Sequence, residues 1–301
     1  MAGTLLTPLC LKSPGTATVQ PRESEFHMSM PLYGGAQSRR ITISDLVSAK
    51  TRKEKWPMIT SYDALTASLF DEAGFPVLLV GDSAAMVVFG FDSTIPVTTD
   101  DLLPLVAAVV RGSKRAMVVA DLPFGTYITP EMAVETGTRF MKEAGAHAVK
   151  IEGGAEMSAH VQALVTAGIP VVGHIGLRPQ HVHSMGGYRV QGRGEQGAQI
   201  LADAHALVDA GVFAIVLEVI PHELAADITS NIPVPTVGIG AGPECDAQVI
   251  VWQDLMGLTP GKPAKFVKQY ANVHDVILKA SSEWARDVIS GAYPDLDHSY
   301  E

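Results

Sequence analysis

The sequence predicts a (β/α)8 barrel of the TIM type, and three observations predict it. From Trp56 onward, short apolar, β-branched runs alternate with Ala-rich stretches of helical composition. Eight such runs can be counted, and no Asn-Gly or Asp-Gly hairpin joins any two of them. The repeats fill about 250 residues, the usual span of such a barrel. No G-x-G-x-x-G follows the first run, which a dinucleotide-binding sheet would carry.

In chain order the strands are expected at residues 57–61, 76–80, 116–120, 146–151, 170–174, 212–217, 234–238 and 249–252. Several helices between them have readable ends. Thr98-x-x-Asp101 is a capping-box start, with Gly112 as its stop. Thr129 followed by Pro130 is an N-cap with proline at the first helical position, and Gly145 closes that helix. A last helix, near 265–290, lies beyond the eighth unit and suits packing on the barrel or on a neighbouring subunit. Residues 50–55, KTRKEK, read as a solvated basic face.

Residues 1–38 differ, with four prolines among Ser, Thr and Gly and no apolar periodicity. They read as a disordered N-terminal extension, leaving 39–301 as one barrel catalytic domain with a C-terminal helix. No basic stretch precedes a sustained apolar run, so a secretory signal is not expected, while Met28 and Met30 leave a later start open.

Composition narrows the partners. The 301 residues are 47% hydrophobic, and 22 Lys and Arg stand against 32 Asp and Glu, a formal charge of −10. That excess argues against nucleic acid or an anionic membrane as the main partner. Two cysteines, Cys10 and Cys245, without metal-ligand spacing, suggest a reducing, cytoplasmic setting rather than a disulfide scaffold.

The functional signal is what ends each strand: Gly81-Asp82-Ser83, then Asp121, then Lys150-Ile151-Glu152, then His174, then Glu218. In a barrel these ends converge on one face. Lys150 and Glu152, two apart on a strand, point to the same side. Taken singly, each has a plain explanation: a helix N-cap, an internal ion pair, a hydrogen-bonded core histidine. Glu218 has none, because it interrupts a run of buried apolar residues. Four carboxylates, a lysine and a histidine on one rim point to a site. Asp82, Asp121 and Glu152 are hard oxygen donors suited to Mg2+. Glu218 remains free to act as a base, an arrangement that removes a proton beside a carbonyl.

At these motifs the chain resembles the ketopantoate hydroxymethyltransferase (3-methyl-2-oxobutanoate hydroxymethyltransferase) family. The strings are VGDSAAMVVFGFDSTIPVT, VADLPFGTY, HAVKIEGG, GHIGLRPQ, GGYRVQGRG, VLEVIP, VGIGAG and GAYPDLDHSY, in family order from about residue 50 to the end. The Ala84-Ala85 pair looks like the actinobacterial branch. The resemblance implies a barrel of the phosphoenolpyruvate mutase/isocitrate lyase-like group. It implies a Mg2+-dependent enzyme of pantothenate biosynthesis that carries a one-carbon unit from 5,10-methylenetetrahydrofolate to 3-methyl-2-oxobutanoate through a Mg-stabilised enolate, giving 2-dehydropantoate. By position, Asp82 and Asp121 match direct metal ligands and Glu152 the third. Ser83 and Lys150, with Asp82 and Asp121, match the residues that hold the oxo acid, and Glu218 matches the proton acceptor. His174 stands as a supporting residue behind them. The family typically forms a homodecamer. Arg178, His181 and His183 stand where the family commonly has Thr, Ser and Asn.

The glycine-rich loop 186–194 reads equally as a lid, with Arg189 or Arg193 near the anionic folate tail, or as a surface loop with solvated arginines. Two other functions compete. One is a carbon–carbon lyase of the same barrel group acting on another 2-oxo or hydroxy acid, which would want a cysteine-bearing loop. The other is a non-catalytic barrel that binds a small ligand.

Overall fold

Eight parallel strands close on one another in chain order in the computed structural model, which describes Leu32, Tyr33 and residues 39–301. The strands are β1 (Trp56–Thr60), β2 (Val77–Val80), β3 (Met117–Asp121), β4 (Ala148–Glu152), β5 (Val171–Gly176), β6 (Ala214–Glu218), β7 (Thr236–Ile239) and β8 (Ala247–Ile250). The expected extension at 1–38 falls, Leu32 and Tyr33 apart, outside the described residues.

The helices are α1 (Ile43–Thr51), α2 (Ala64–Glu72), α3 (Ala84–Val87), α4 (Thr99–Gly112), α5 (Pro130–Glu143), α6 (Ser158–Thr166), α7 (Val182–Met185), α8 (Gln196–Ala210), α9 (His222–Asn231), α10 (Trp252–Leu255) and α11 (Val273–Ser290). The capping signals act as expected. The Thr98 hydroxyl accepts from the Asp101 N–H while the Asp101 carboxylate accepts from Thr98 N–H. The Thr129 hydroxyl accepts from Met132 N–H one residue before Pro130. Gly112 works differently from a stop in the left-handed conformation. It is the last helical residue, and a Cβ there would lie 2.4 Å from the Ala64 carbonyl oxygen, so its smallness lets α4 pass α2.

Alternation along the strands sorts the core into two layers. Outward residues such as Leu78, Val118, Val149, Ile151, Ile215 and Leu217 pack under the helices. Inward residues, including Met58, Val77, Met117, Val119, Ala148, Val172, Val216 and Val249, fill the barrel, and Leu32, Ile41, Leu46 and Ala49 join them. One end of the interior is thus plugged by apolar side chains. The other is left to polar ones.

Four expectations are corrected. β8 lies two residues earlier than 249–252, because Val251 caps α10 and Trp252 N–H turns to the Thr60 hydroxyl at 3.1 Å. No helix joins β7 to β8; the Gly- and Pro-containing residues 240–246 cannot sustain one. The last helix begins at Val273 rather than 265, where Asn272 accepts from Asp275 N–H as the N-cap. The basic stretch is not simply solvated either. Lys50 is paired with Asp246 at 2.8 Å, and Lys55 donates to the Cys245 carbonyl at 2.6 Å, fastening α1 and β1 to the β7–β8 connection.

Candidate active site

The register of the sheet sets the polar residues side by side. Asp121 of β3 lies opposite Lys150 of β4, Glu152 of β4 opposite His174 of β5, and Gly176 of β5 opposite Glu218 of β6. Each of Asp121, Lys150, Glu152, His174 and Glu218 shares the inward parity of its strand. They line a cavity of about 490 Å3 at the C-terminal mouth of the barrel, together with Asp82 and Ser83 from the turn after β2. All seven residues singled out in the sequence are therefore brought to one place.

Within the cavity the charges are interlocked. Lys150 Nζ lies 2.7 Å from Asp121 Oδ1, 3.9 Å from Glu152 Oε1 and 3.0 Å from His174 Nδ1. Asp82 N–H donates to Asp121 Oδ2 at 3.0 Å. His174 Nδ1 is 3.4 Å from Glu152 Oε1, and its Nε2 is 3.1 Å from Glu218 Oε2. The Ser83 hydroxyl pairs with the Tyr62 hydroxyl at 2.8 Å.

Asp82, Asp121, Lys150, Glu152 and His174 are all buried, whereas the Glu218 side chain is 16% exposed. Burial raises the carboxyl of Asp82 well above its ordinary range, with the neighbouring Asp121 and Glu152 adding to it. Burial likewise raises Asp121, against the pull of Lys150. Burial opposes charge on Lys150 too, but Asp121, Glu152 and Asp82 more than offset it and hold the ammonium charged. Glu152 stays ionised despite burial because His174, His181 and Lys150 surround it. His174 is pushed up to about 9: its carboxylate partners Glu152 and Glu218 outweigh burial and Lys150. With Lys150 donating to Nδ1, or with the ring protonated, Nε2 carries a hydrogen in both states, 3.1 Å from Glu218 Oε2.

Three buried carboxylates face one buried lysine and one histidine, a deficit of positive charge that a divalent cation would fill. Glu152 Oε1 has no hydrogen-bond partner. Among the described residues no three acidic, imidazole or thiol groups converge at ligand spacing. Asp82 and Asp121 offer the hard oxygens of one or two carboxylates, which suits an ion such as Mg2+ that completes its shell with water or substrate oxygens.

The mouth differs from expectation. Tyr188 of loop 186–194 lines the cavity, but Arg189 and Arg193 do not. In their place Lys265 and Phe266 line it, from the stretch expected to be helix. Of the three unusual residues, Arg178 pairs with Glu156 at 2.6 Å and His181 Nδ1 comes within 3.9 Å of Glu152, while His183 is exposed. Gln180 and Tyr127, not singled out in the sequence, join the cluster by hydrogen bonds to Asp82, Glu152 and each other. Both lie in connections, where no periodicity marks a side chain as inward.

A model of the ketopantoate hydroxymethyltransferase family matches residues 40–296. A 3-methyl-2-oxobutanoate hydroxymethyltransferase of Thermobifida fusca (strain YX) is 61% identical over 271 residues, covering 89% of this chain and 96% of that protein. The same-named protein of Streptomyces avermitilis is 55% identical over 286 residues, covering 94% and 98%. Among solved structures, a 2,3-dimethylmalate lyase, a PEP mutase/isocitrate lyase superfamily member, aligns with a TM-score of 0.54 at 18% identity over 86% of this chain and 91% of that one. A phosphonopyruvate hydrolase aligns with a TM-score of 0.56 at 14% identity, covering 86% and 93%. These structural likenesses concern the barrel alone.

Proposed function

The chain belongs to the ketopantoate hydroxymethyltransferase family, a family of transferases, and from that premise we propose how its cavity works. The reaction is transfer of a hydroxymethyl group from 5,10-methylenetetrahydrofolate to 3-methyl-2-oxobutanoate, giving 2-dehydropantoate for pantothenate biosynthesis. The observation that carries the reading is the convergence of Asp82, Asp121, Lys150 and Glu152 with Glu218 across His174 in one cavity.

Asp82 and Asp121 would hold Mg2+, with Glu152 as the third carboxylate. The ion, when bound, supplies electron withdrawal from the 2-oxo group and so acidifies the C3 proton. Ser83 and Lys150 bind and orient the oxo acid. Glu218, 3.1 Å from His174 Nε2, takes the proton from C3. The negative charge left on the oxo oxygen faces the Lys150 ammonium, which is already in place and needs no reorganisation. C3 then bonds to the one-carbon unit as its two C–N bonds to the folate break; a water supplies the hydroxyl, its remaining proton and the one taken by Glu218 go to the two folate nitrogens, and tetrahydrofolate leaves. Tyr188 and Phe266 at the mouth keep bulk solvent from the deprotonated oxo acid, and Lys265 supplies a positive charge for the folate's acidic tail.

The lyase reading finds no support in the cavity lining, since Cys245 is buried outside it and Cys10 lies outside the described residues. Assembly as a homodecamer and a cytoplasmic location belong to the same proposal. Formation of 2-dehydropantoate from the oxo acid, measured with and without the folate donor and with and without Mg2+, tests it. Product should require both. Full turnover by metal-free enzyme, or none with both present, contradicts the reading.

A further inference from the structure

Gln180 occupies the one-turn segment Pro179–His181 after β5 and is only 2% exposed. Its backbone N–H donates to Glu152 Oε2 at 3.2 Å. Its Nε2 donates to Asp82 Oδ2 and to the Leu122 carbonyl, both at 2.9 Å. The Tyr127 hydroxyl donates to its Oε1 at 2.5 Å.

The direction of these bonds follows from chemistry. A carbonyl can only accept, so the NH2 of Gln180 lies on the Leu122 side and its oxygen on the Tyr127 side. Both hydrogens of Nε2 are then committed, and Asp82 Oδ2 must accept one of them. A protonated Asp82 Oδ2 would set two donors against each other.

We propose that Gln180, held by Tyr127, is the positioning residue of the divalent-cation site: it fixes Asp82 Oδ2 and Glu152 Oε2 as acceptors and so reserves Asp82 Oδ1 and Glu152 Oε1 for the cavity. Glu152 Oε1, without a hydrogen-bond partner, has the character this requires. Gln180 ties the connections after β2, β3 and β5 to the end of β4 at one point, so the two carboxylates cannot turn independently. Hydrogen bonds of this kind behind metal ligands orient them and raise affinity. The inference rests on the metal reading above.

Mn2+ is the probe, because its free form is counted directly by electron paramagnetic resonance in titrations of metal-stripped, full-length protein. Gln180→Met keeps the volume and removes the amide, and should weaken Mn2+ binding by about 10- to 100-fold. Tyr127→Phe removes one oxygen and should weaken it in the same direction by a smaller factor. Should Gln180→Met not fold, Tyr127→Phe, checked by circular dichroism, carries the test. A residue that merely braced the loops would lower the melting temperature of the metal-free protein and leave Mn2+ affinity within twofold of wild type, and that result overturns the proposal alone. Wild type that binds no Mn2+ overturns the metal reading, and this inference with it.

Discussion

Glu218 owes its place to backbone that is strained immediately beyond it. Val219, a β-branched residue, sits in the left-handed region at φ 48°, a conformation costing on the order of 1–3 kcal/mol. It is held there by its N–H on the Ile239 carbonyl at 2.8 Å and by Gln191 N–H on its own carbonyl at 3.0 Å. The strain turns the chain out of β6 while leaving the Glu218 carboxylate at the mouth. Lys150 is the other decisive residue. Its replacement in Lys150→Gln strands three buried carboxylates without their ammonium. The variant should lose at least about 100-fold in kcat and melt at a lower temperature that Mg2+ partly restores; steady-state kinetics and thermal melts with and without Mg2+ check both. Asp82, Asp121, Lys150, Glu152 and Glu218 were legible because each is a charge set against an apolar strand. Gln180, Tyr127 and Tyr62 were not. They are neutral polar residues in connections, and only the fold says that they face inward.

At the level of elements, register does most of the positioning, and its demands fall on specific residues. Gly176 lies at φ 94°, and a Cβ there would come 2.3 Å from the Glu218 carbonyl oxygen, which also accepts from Leu177 N–H at 2.8 Å. Gly176→Ala should therefore cost about 2 kcal/mol or more in urea unfolding and displace the base, lowering turnover as well. At the opposite end of β4, His147 Nδ1 accepts from Val118 N–H at 3.0 Å while its own N–H donates to the Val118 carbonyl at 2.9 Å. Burial and the nearby Arg40 hold this imidazole down to about 4, against an ordinary 6.5. The unfolded chain therefore binds the proton first, and His147 contributes a loss of stability as pH falls from about 6.5 to about 4, with no effect above that window. His147→Asn, which retains an acceptor for Val118 N–H, should show a smaller drop in urea midpoint between about pH 7 and about pH 5 than wild type. Strand existence was legible in the alternation of apolar runs. The start of α11 was not, since Lys265 and Phe266 carry no mark separating a helical turn from a loop crossing the barrel mouth.

At the level of the whole molecule, two features stand out. The chain carries a formal charge of −10, yet both proposed substrates are anions. On the proposed function, Lys150, Lys265 and the divalent cation together make the cavity locally positive, and the apolar plug at the other end leaves the mouth as its entrance. The second feature is α11, none of whose residues is buried and which exposes Ile277, Trp284 and Val288 along one side. An uncovered apolar stripe of this kind predicts self-association. Sedimentation at micromolar concentration should give a species several times the mass of one chain, and a monomer would contradict the oligomer expectation. Among the described residues no helix is long and apolar enough to cross a membrane. The central claim is that this cavity removes the C3 proton of 3-methyl-2-oxobutanoate with Glu218. Proton exchange at C3 in D2O, followed by NMR without folate, tests it most directly. Wild type with Mg2+ should exchange, and Glu218→Gln should bind the oxo acid but not exchange it. Undiminished exchange in Glu218→Gln would contradict the account.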